Sequence, residues 1–288
     1  MLFDFQTTTH GKWILAGEHA VIRGHGALIF PLTDKTLHLN YRACTKSNDL
    51  ILDAQIPERD SQDICHLLHR ILKYGMELIH QSYTNLRGYL TISSTIPIGV
   101  GMGASAALCL ALSRWFIAQQ WIEPTQQFNM ARELEHFFHG QSSGLDIAGV
   151  SSEHGIYFQR GDSIPLNPTW SPQWRLSSCG EQGPTSDCIQ KVQKLWLEQP
   201  ERAHQIDLQM QNCVDKAKQA LEAFQPQKTQ QTLLIEAMQQ ANNCFEQWGL
   251  VTPVLKQHMH HLYEQGALAV KPTGSGGGGY VVSLWESF

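Results

Sequence analysis

The run PIGVGMGASAA, from Pro97 to Ala107, constrains this chain more than any other stretch. Gly99, Gly101 and Gly103 lie two residues apart and lead directly into a helix-forming segment, Ala104 to Gln120. Glycine turns the backbone through conformations that other residues avoid and leaves no side chain in a ligand's way. The first N–H groups of the helix behind it have no intrahelical partner and carry partial positive charge. A glycine loop opening a helix is therefore a candidate phosphate cradle. A tight helix-to-sheet packing would use the same residues, and no GxxxxGK[ST] accompanies them.

The 288 residues are 42% hydrophobic and 16% charged, which suits a packed core and excludes a disordered chain. A net charge of −5 argues against a general nucleic-acid or membrane-surface binder, so an anionic ligand needs local positive charge. The seven cysteines are scattered and form no CxxC, which fits reduced thiols of a cytoplasmic protein better than a disulfide framework or a structural zinc site. The start, MLFDFQTTTHGKW, lacks the features of a signal peptide, and no apolar run is long enough for a membrane span.

The patterning predicts strands at Lys12–Leu15, Ala27–Pro31, Thr36–Ala43 and Leu86–Ile96, with a helix over Ile64–His80. A further helix spans Gln126 to His139. A polar turn, Gln141 to Gly144, and a strand at Gly155–Gln159 follow. Three prolines make Asp162–Gln173 a candidate linker. Beyond it come a strand at Trp174–Ser178, one or two helices over Ser186–Gln225, and helices at Thr229–Trp248 and Pro253–Gln265. A strand, glycine loop, strand closes the chain from Leu268 to Leu284. This order predicts an α+β chain of two domains, divided near residue 165.

Several residues carry candidate chemistry, and each also has an ordinary structural explanation. Ser105 Oγ stands where it could reach a magnesium ion bound to phosphate. Glu135 falls on the apolar stripe of Phe128, Ala131 and Phe138, where a carboxylate is costly unless paired or on a metal; a surface pair with Arg132 is the alternative. Asp146, after the polar turn, could take a proton from an attacking hydroxyl, or serve as a turn aspartate. Lys12 could offset charge at a transferring phosphoryl group, or be a solvated strand end. Glu18 and His19 could bind a polar acceptor, and His19 could equally be satisfied locally. His258, His260 and His261 read as solvent-facing, with no zinc spacing.

Taken together and in order, these pieces resemble the GHMP kinase superfamily, which includes galactokinase, homoserine kinase and phosphomevalonate kinase, and within it the mevalonate kinase family. GKWILAGEHAVIRG (Gly11–Gly24) is similar to that family's G-K-[VI]-I-L-x-G-E-H-A-V-[VI]-x-G. Pro97–Ala107 is similar to P-x-x-x-G-L-G-S-S-A-A, and Lys271–Gly279 to K-x-T-G-A-G-G-G-G. His10 replaces the usual proline before Gly-Lys, and Ala104 the first serine of the usual pair.

The resemblance implies an α+β two-domain fold: an N-terminal domain (1–165) like ribosomal protein S5 domain 2 and a ferredoxin-like C-terminal domain (166–288), with ATP and acceptor meeting in the cleft. It implies ATP- and Mg²⁺-dependent phosphorylation of the 5-hydroxyl of (R)-mevalonate, an isoprenoid precursor. Another GHMP small-molecule kinase and a non-catalytic ligand-binding relative are the alternatives. The implied catalytic residues are Asp146 and Lys12, and the implied metal ligands Ser105 and Glu135. Nucleotide would be held by Pro97, Gly99, Gly101, Met102, Gly103, Ala104, Ser105 and Ala106. The acceptor would meet Lys12, Glu18, His19, Asp146, Thr185, Gly274 and Ser275. The chain stops nine residues after Gly279, so a sheet edge is expected that the partner subunit of a homodimer would cover.

Overall fold

The computed structural model describes residues 3–44, 49–57, 59–140, 142–224 and 227–286. It is an α+β protein in which two compact units are each assembled from separate segments. One comprises residues 1–11, 32–97 and 103–151; the other comprises 12–31, 98–102 and 152–288. Two long strands, β1 (Phe5–Ala16) and β2 (Ala27–Arg42), contribute residues to both.

In the first unit, β2 runs antiparallel to β4 (Gly88–Ser94), from Leu37↔Ser94 to Arg42↔Tyr89. Strand β3 (Leu50–Gln55) lies parallel to β4 and reaches it through helix α1 (Ser61–Leu78), whose start Asp60 caps by accepting from the Gln62 N–H. Helix α2 (Ala104–Ala118) is apolar on nearly every side and buried, as an all-round hydrophobic helix must be. It packs on α3 (Gln127–His139) and on the short α4 (Leu145–Ser151). Gln141, first residue of the expected polar turn, lies outside the described residues.

The second unit carries the antiparallel sheet β7 (Gln173–Ser178), β9 (Tyr280–Trp285) and β8 (Ala269–Thr273), in that order. Helix α6 (Pro200–Glu222) packs between α5 (Thr185–Glu198) and α7 (Gln227–Gln247), and α7 and α8 (Pro253–Glu264) each pack against β8. Leu255, Met259 and Leu262 of α8 form one core with Val270 and Val281. Strand β5 (Ile156–Gln159) pairs with Ala27–Ile29 of β2 and with β6 (Asp162–Pro165).

Three expectations need correction, and two elements are new. The two strands expected at Ala27–Pro31 and Thr36–Ala43 are one strand, β2. Pro31 lies between the stretch paired with β5 and the stretch paired with β4, where neither ladder needs its missing N–H. The expected linker at Asp162–Gln173 begins as β6, because Arg160 and Gly161, both with positive φ, close a two-residue hairpin. Strand β3 and helix α4 were not anticipated. His258 is only partly exposed: its Nε2 is 2.8 Å from Ser177 Oγ, and burial lowers its pKa. Among the described residues no helix is long and apolar enough to cross a membrane.

Candidate functional site

All three glycines of the first loop stand in left-handed backbone. Gly99, Gly101 and Gly103 have φ of +79°, +78° and +83°. Gly103 is the N-cap of α2 and, lacking a side chain, accepts no N–H of the first turn. Ala104 follows it, so the first turn is lined by backbone and by Ser105. A Cβ on Gly101 would lie 3.2 Å from Gly274 Cα and 3.4 Å from the Thr273 carbonyl oxygen. The loop over residues 98–102 therefore rests, backbone to backbone, on the second glycine loop between β8 and β9.

In the same unit, the segment after Gly11 is fastened to both loops. Lys12 donates its backbone N–H to Met102 O at 2.9 Å. Thr273 Oγ1 accepts from the Ile14 N–H at 2.8 Å and donates to the Ile14 carbonyl at 2.9 Å, so one hydroxyl bridges β1 and β8. Lys12 is only 1% exposed, not a solvated strand end. Glu18 is also buried, and Lys271, wholly buried, donates to its Oε1 at 2.7 Å. Burial pushes the Glu18 carboxyl pKa up, and the Lys271 and Lys12 ammonium groups work against that rise. Glu18 Oε2 is buried without a hydrogen-bond partner. A buried carboxylate oxygen left open beside two cations suits a hydroxyl donor supplied by a ligand.

His19 stands in left-handed backbone at φ 59°, rare for a residue with a side chain. Its Nε2 donates to the Ser275 carbonyl at 2.9 Å, and its ring sits edge-on to Phe245 and Trp248. Burial lowers its pKa to about 4, so the ring is neutral at pH 7. Thr185, first residue of α5, has its Oγ1 3.3 Å from Ser275 Oγ. His19, Thr185 and Ser275 thus meet at the glycine loop that begins with Gly274. Lys271, quoted from sequence only as the start of the last glycine motif, joins the candidate site residues; its signal was a lysine inside the apolar strand Ala-Val-Lys-Pro.

The other unit holds Ser105, Glu135 and Asp146. Glu135 is 2% exposed on α3, on the stripe that faces α2. Its charge, added to burial, raises the Cys109 thiol pKa, and Cys109 lies one helical turn after Ser105. Ser105 and Glu135 thus belong to facing surfaces of α2 and α3. Ser142 Oγ makes a short hydrogen bond to Glu135 Oε2 and accepts the Gly144 N–H at 3.1 Å. The Leu145 N–H goes to Ser143 Oγ, which starts α4, and Asp146 sits in its first turn. Ser142, read from sequence only as part of a polar turn, ties the Glu135 carboxylate to the backbone that carries Asp146.

Residues 66–153 match the family model described as the GHMP kinases N terminal domain. The mevalonate kinase of Thermococcus sibiricus is 27% identical over 292 residues, covering 95% of this chain and 86% of that protein. The structure of L. major mevalonate kinase in complex with R-mevalonate superposes with a TM-score of 0.77 at 22% identity, covering 98% of this chain and 87% of that one. Streptococcus pneumoniae phosphomevalonate kinase in complex with phosphomevalonate and AMPPNP gives a TM-score of 0.75 at 17% identity, covering 99% and 93%. By its motifs, its family match over residues 66–153 and its fold, this chain is similar to the GHMP kinases and, among them, to the mevalonate kinases.

Proposed function

We propose that the protein transfers the γ-phosphoryl group of ATP to the 5-hydroxyl of (R)-mevalonate. The observation that supports this most is the buried cluster of Lys12, Glu18 and Lys271, flanked by His19, Thr185 and Ser275. Two lysines and a half-satisfied carboxylate are costly to bury in a chain that only needs a core. Similarity to the Thermococcus sibiricus mevalonate kinase over 95% of the chain supports mevalonate as the acceptor. The division into an N-terminal domain (1–165) and a C-terminal domain (166–288) belongs to the same proposal.

In this mechanism the acceptor oxygen attacks the γ-phosphorus, the bond to the β,γ-bridging oxygen breaks, and its electron pair leaves with ADP. Asp146 orients the hydroxyl and receives its proton. The Lys12 ammonium offsets negative charge as it develops on the acceptor oxygen and the phosphoryl oxygens. The N–H groups of the glycine loop and of the α2 start hold the phosphates. Ser105 Oγ and Glu135 are the residues that would hold Mg²⁺, and a buried carboxylate and a hydroxyl on facing helices suit a hard cation that takes its remaining ligands from phosphate and water. Magnesium, when bound, neutralises phosphate charge. Glu18 and His19 bind the acceptor, with neutral His19 serving as a fixed polar wall.

The test is a panel in which ADP release is followed with Mg-ATP and mevalonate, phosphomevalonate, galactose or homoserine. The reading predicts turnover with mevalonate at far higher kcat/KM than with the others. Preference for a different alcohol would reassign the acceptor, and no turnover with any would favour a binding protein.

A further inference from the structure

The loop Gly17–Gly26, which carries Glu18 and His19, does not hold its shape by local bonds alone. Its internal bonds are those of one 3-10 turn, Ala20–Arg23, and its edges: the Val21 N–H to Gly17 O, the Ala20 N–H to Glu18 O and the Gly24 N–H to Val21 O. His19 is left-handed, a conformation that persists only where the surroundings over-determine it. Lys271 and Ser275 hold the Glu18 and His19 side chains and Gln159 donates to Gly24 O, while three acceptors on one helix hold the rest of the loop. Met210 Sδ accepts from the Gly17 N–H at 3.2 Å. Gln211 Oε1 accepts from the Gly26 N–H at 2.6 Å. Asp207 accepts both arms of the Arg23 guanidinium, Nη2 to Oδ1 at 2.7 Å and Nε to Oδ2 in a shorter contact.

Residues 207, 210 and 211 are spaced i, i+3, i+4, so they share one face of α6. Asp207 is completely buried, although its neighbours on that face, Ala203, Ile206 and Met210, are apolar. A carboxylate there is tolerated because the bidentate guanidinium satisfies both oxygens. Arg23 is itself steadied over the Trp196 ring, 5.0 Å from its centroid. His19 feels the charges of both Arg23 and Asp207, so the pair stands beside the acceptor-binding histidine. Neither Arg23, the variable x of the motif, nor Asp207 belongs to the residues read as site residues from sequence.

We infer that α6 is the template of the acceptor loop, and that Asp207, through Arg23, is a positioning residue that places Glu18 and His19 for the acceptor alcohol. The assignment of an acceptor to that loop rests on the function proposed above. The bridge ends at the loop and touches no residue of the nucleotide-binding glycine loop, so its loss should separate the two substrates.

The experiment compares wild type, Asp207→Asn and the double variant Arg23→Met/Asp207→Met, which leaves no charge buried and unpaired. KM is measured separately for mevalonate and ATP. The ring N–H of His19, held by the Ser275 carbonyl, is followed by NMR at pH 7 in ¹⁵N-labelled protein and assigned with His19→Gln. In both variants the expected result is a rise of about tenfold in KM for mevalonate with KM for ATP within about twofold, as loss of acceptor binding alone requires. The His19 N–H signal should vanish by exchange with water. If the signal and KM for mevalonate are unchanged, or both KM values rise in step, the inference is wrong. If Asp207→Asn does not fold, the double variant decides. If wild type does not phosphorylate mevalonate, the proposed function fails, while the His19 signal in the two variants still judges the template.

Discussion

Lys12, Lys271 and Asp207 show what a single side chain can reveal in isolation. Each is a charged residue inside an apolar pattern, and each is buried with it. Sequence marks such positions as costly and says nothing about what neutralises them, because the partner of Lys271 is 253 residues away and that of Asp207 is 184 away. Glu135 was more legible, since its place on the Phe128–Ala131–Phe138 stripe predicts burial from helical spacing alone, and it is buried. His19 yields a prediction at this scale. Its folded pKa of about 4 lies below the ordinary 6.5, so between those values the unfolded chain takes up a proton that the folded chain refuses. The stability His19 contributes is therefore complete above about pH 6.5 and is lost as pH falls towards 4. Urea midpoints at pH 7.5 and 4.5 should fall further for wild type than for His19→Gln. Burial acts on Glu18 in the opposite sense, but Glu18 is present in both proteins and cancels in the comparison. Equal losses would show that His19 is not held neutral.

At the scale of elements, long periodic segments were read well and short or proline-marked ones were not. Helices α1, α3, α7 and α8 have the apolar repeat of an amphipathic helix over three or more turns. Helix α4 has seven residues, too few for a period to declare itself. Strand β6 was hidden by Pro165 at its end and by the two prolines beyond, and the second half of its hairpin turn is a glycine after arginine, a weaker signal than Asn-Gly. The two glycine loops were visible as composition, but their mutual contact was not, because nothing in either sequence says which backbone the missing side chain makes room for. Gly101→Ala tests that contact. It forces alanine into a left-handed turn and places a methyl 3.2 Å from Gly274 Cα. The left-handed conformation alone should cost about 1–2 kcal/mol, read by urea unfolding. KM for ATP should rise by about tenfold, through displaced phosphate-binding N–H groups. An alanine variant with unchanged stability and unchanged KM for ATP would remove the loop from the nucleotide site.

The whole molecule distributes its proposed chemistry over both compact units. Lys12, Glu18 and Lys271 belong to one; Ser105, Glu135 and Asp146 belong to the other. The boundaries of these units could not be read from the sequence, because β1 and β2 feed both and no composition change marks the crossing. A single chemical step predicts coupling between Lys12 and Asp146. Lys12→Met and Asp146→Ala should each lower kcat by at least about a hundredfold. The double variant should fall no more than about threefold below the worse single one, since residues that act in one transition state are not additive. Fully multiplicative losses would mean that the two groups serve separate steps.

Identification of the product tests the central proposal most directly. Wild-type protein is incubated with Mg-ATP and (R)-mevalonate, and the mixture is followed by ³¹P NMR. The account predicts a phosphate-monoester resonance split into a triplet by the C5 methylene protons, growing in step with ADP and absent with Asp146→Ala. ADP accompanied only by inorganic phosphate, or an ester resonance without that splitting, would contradict it.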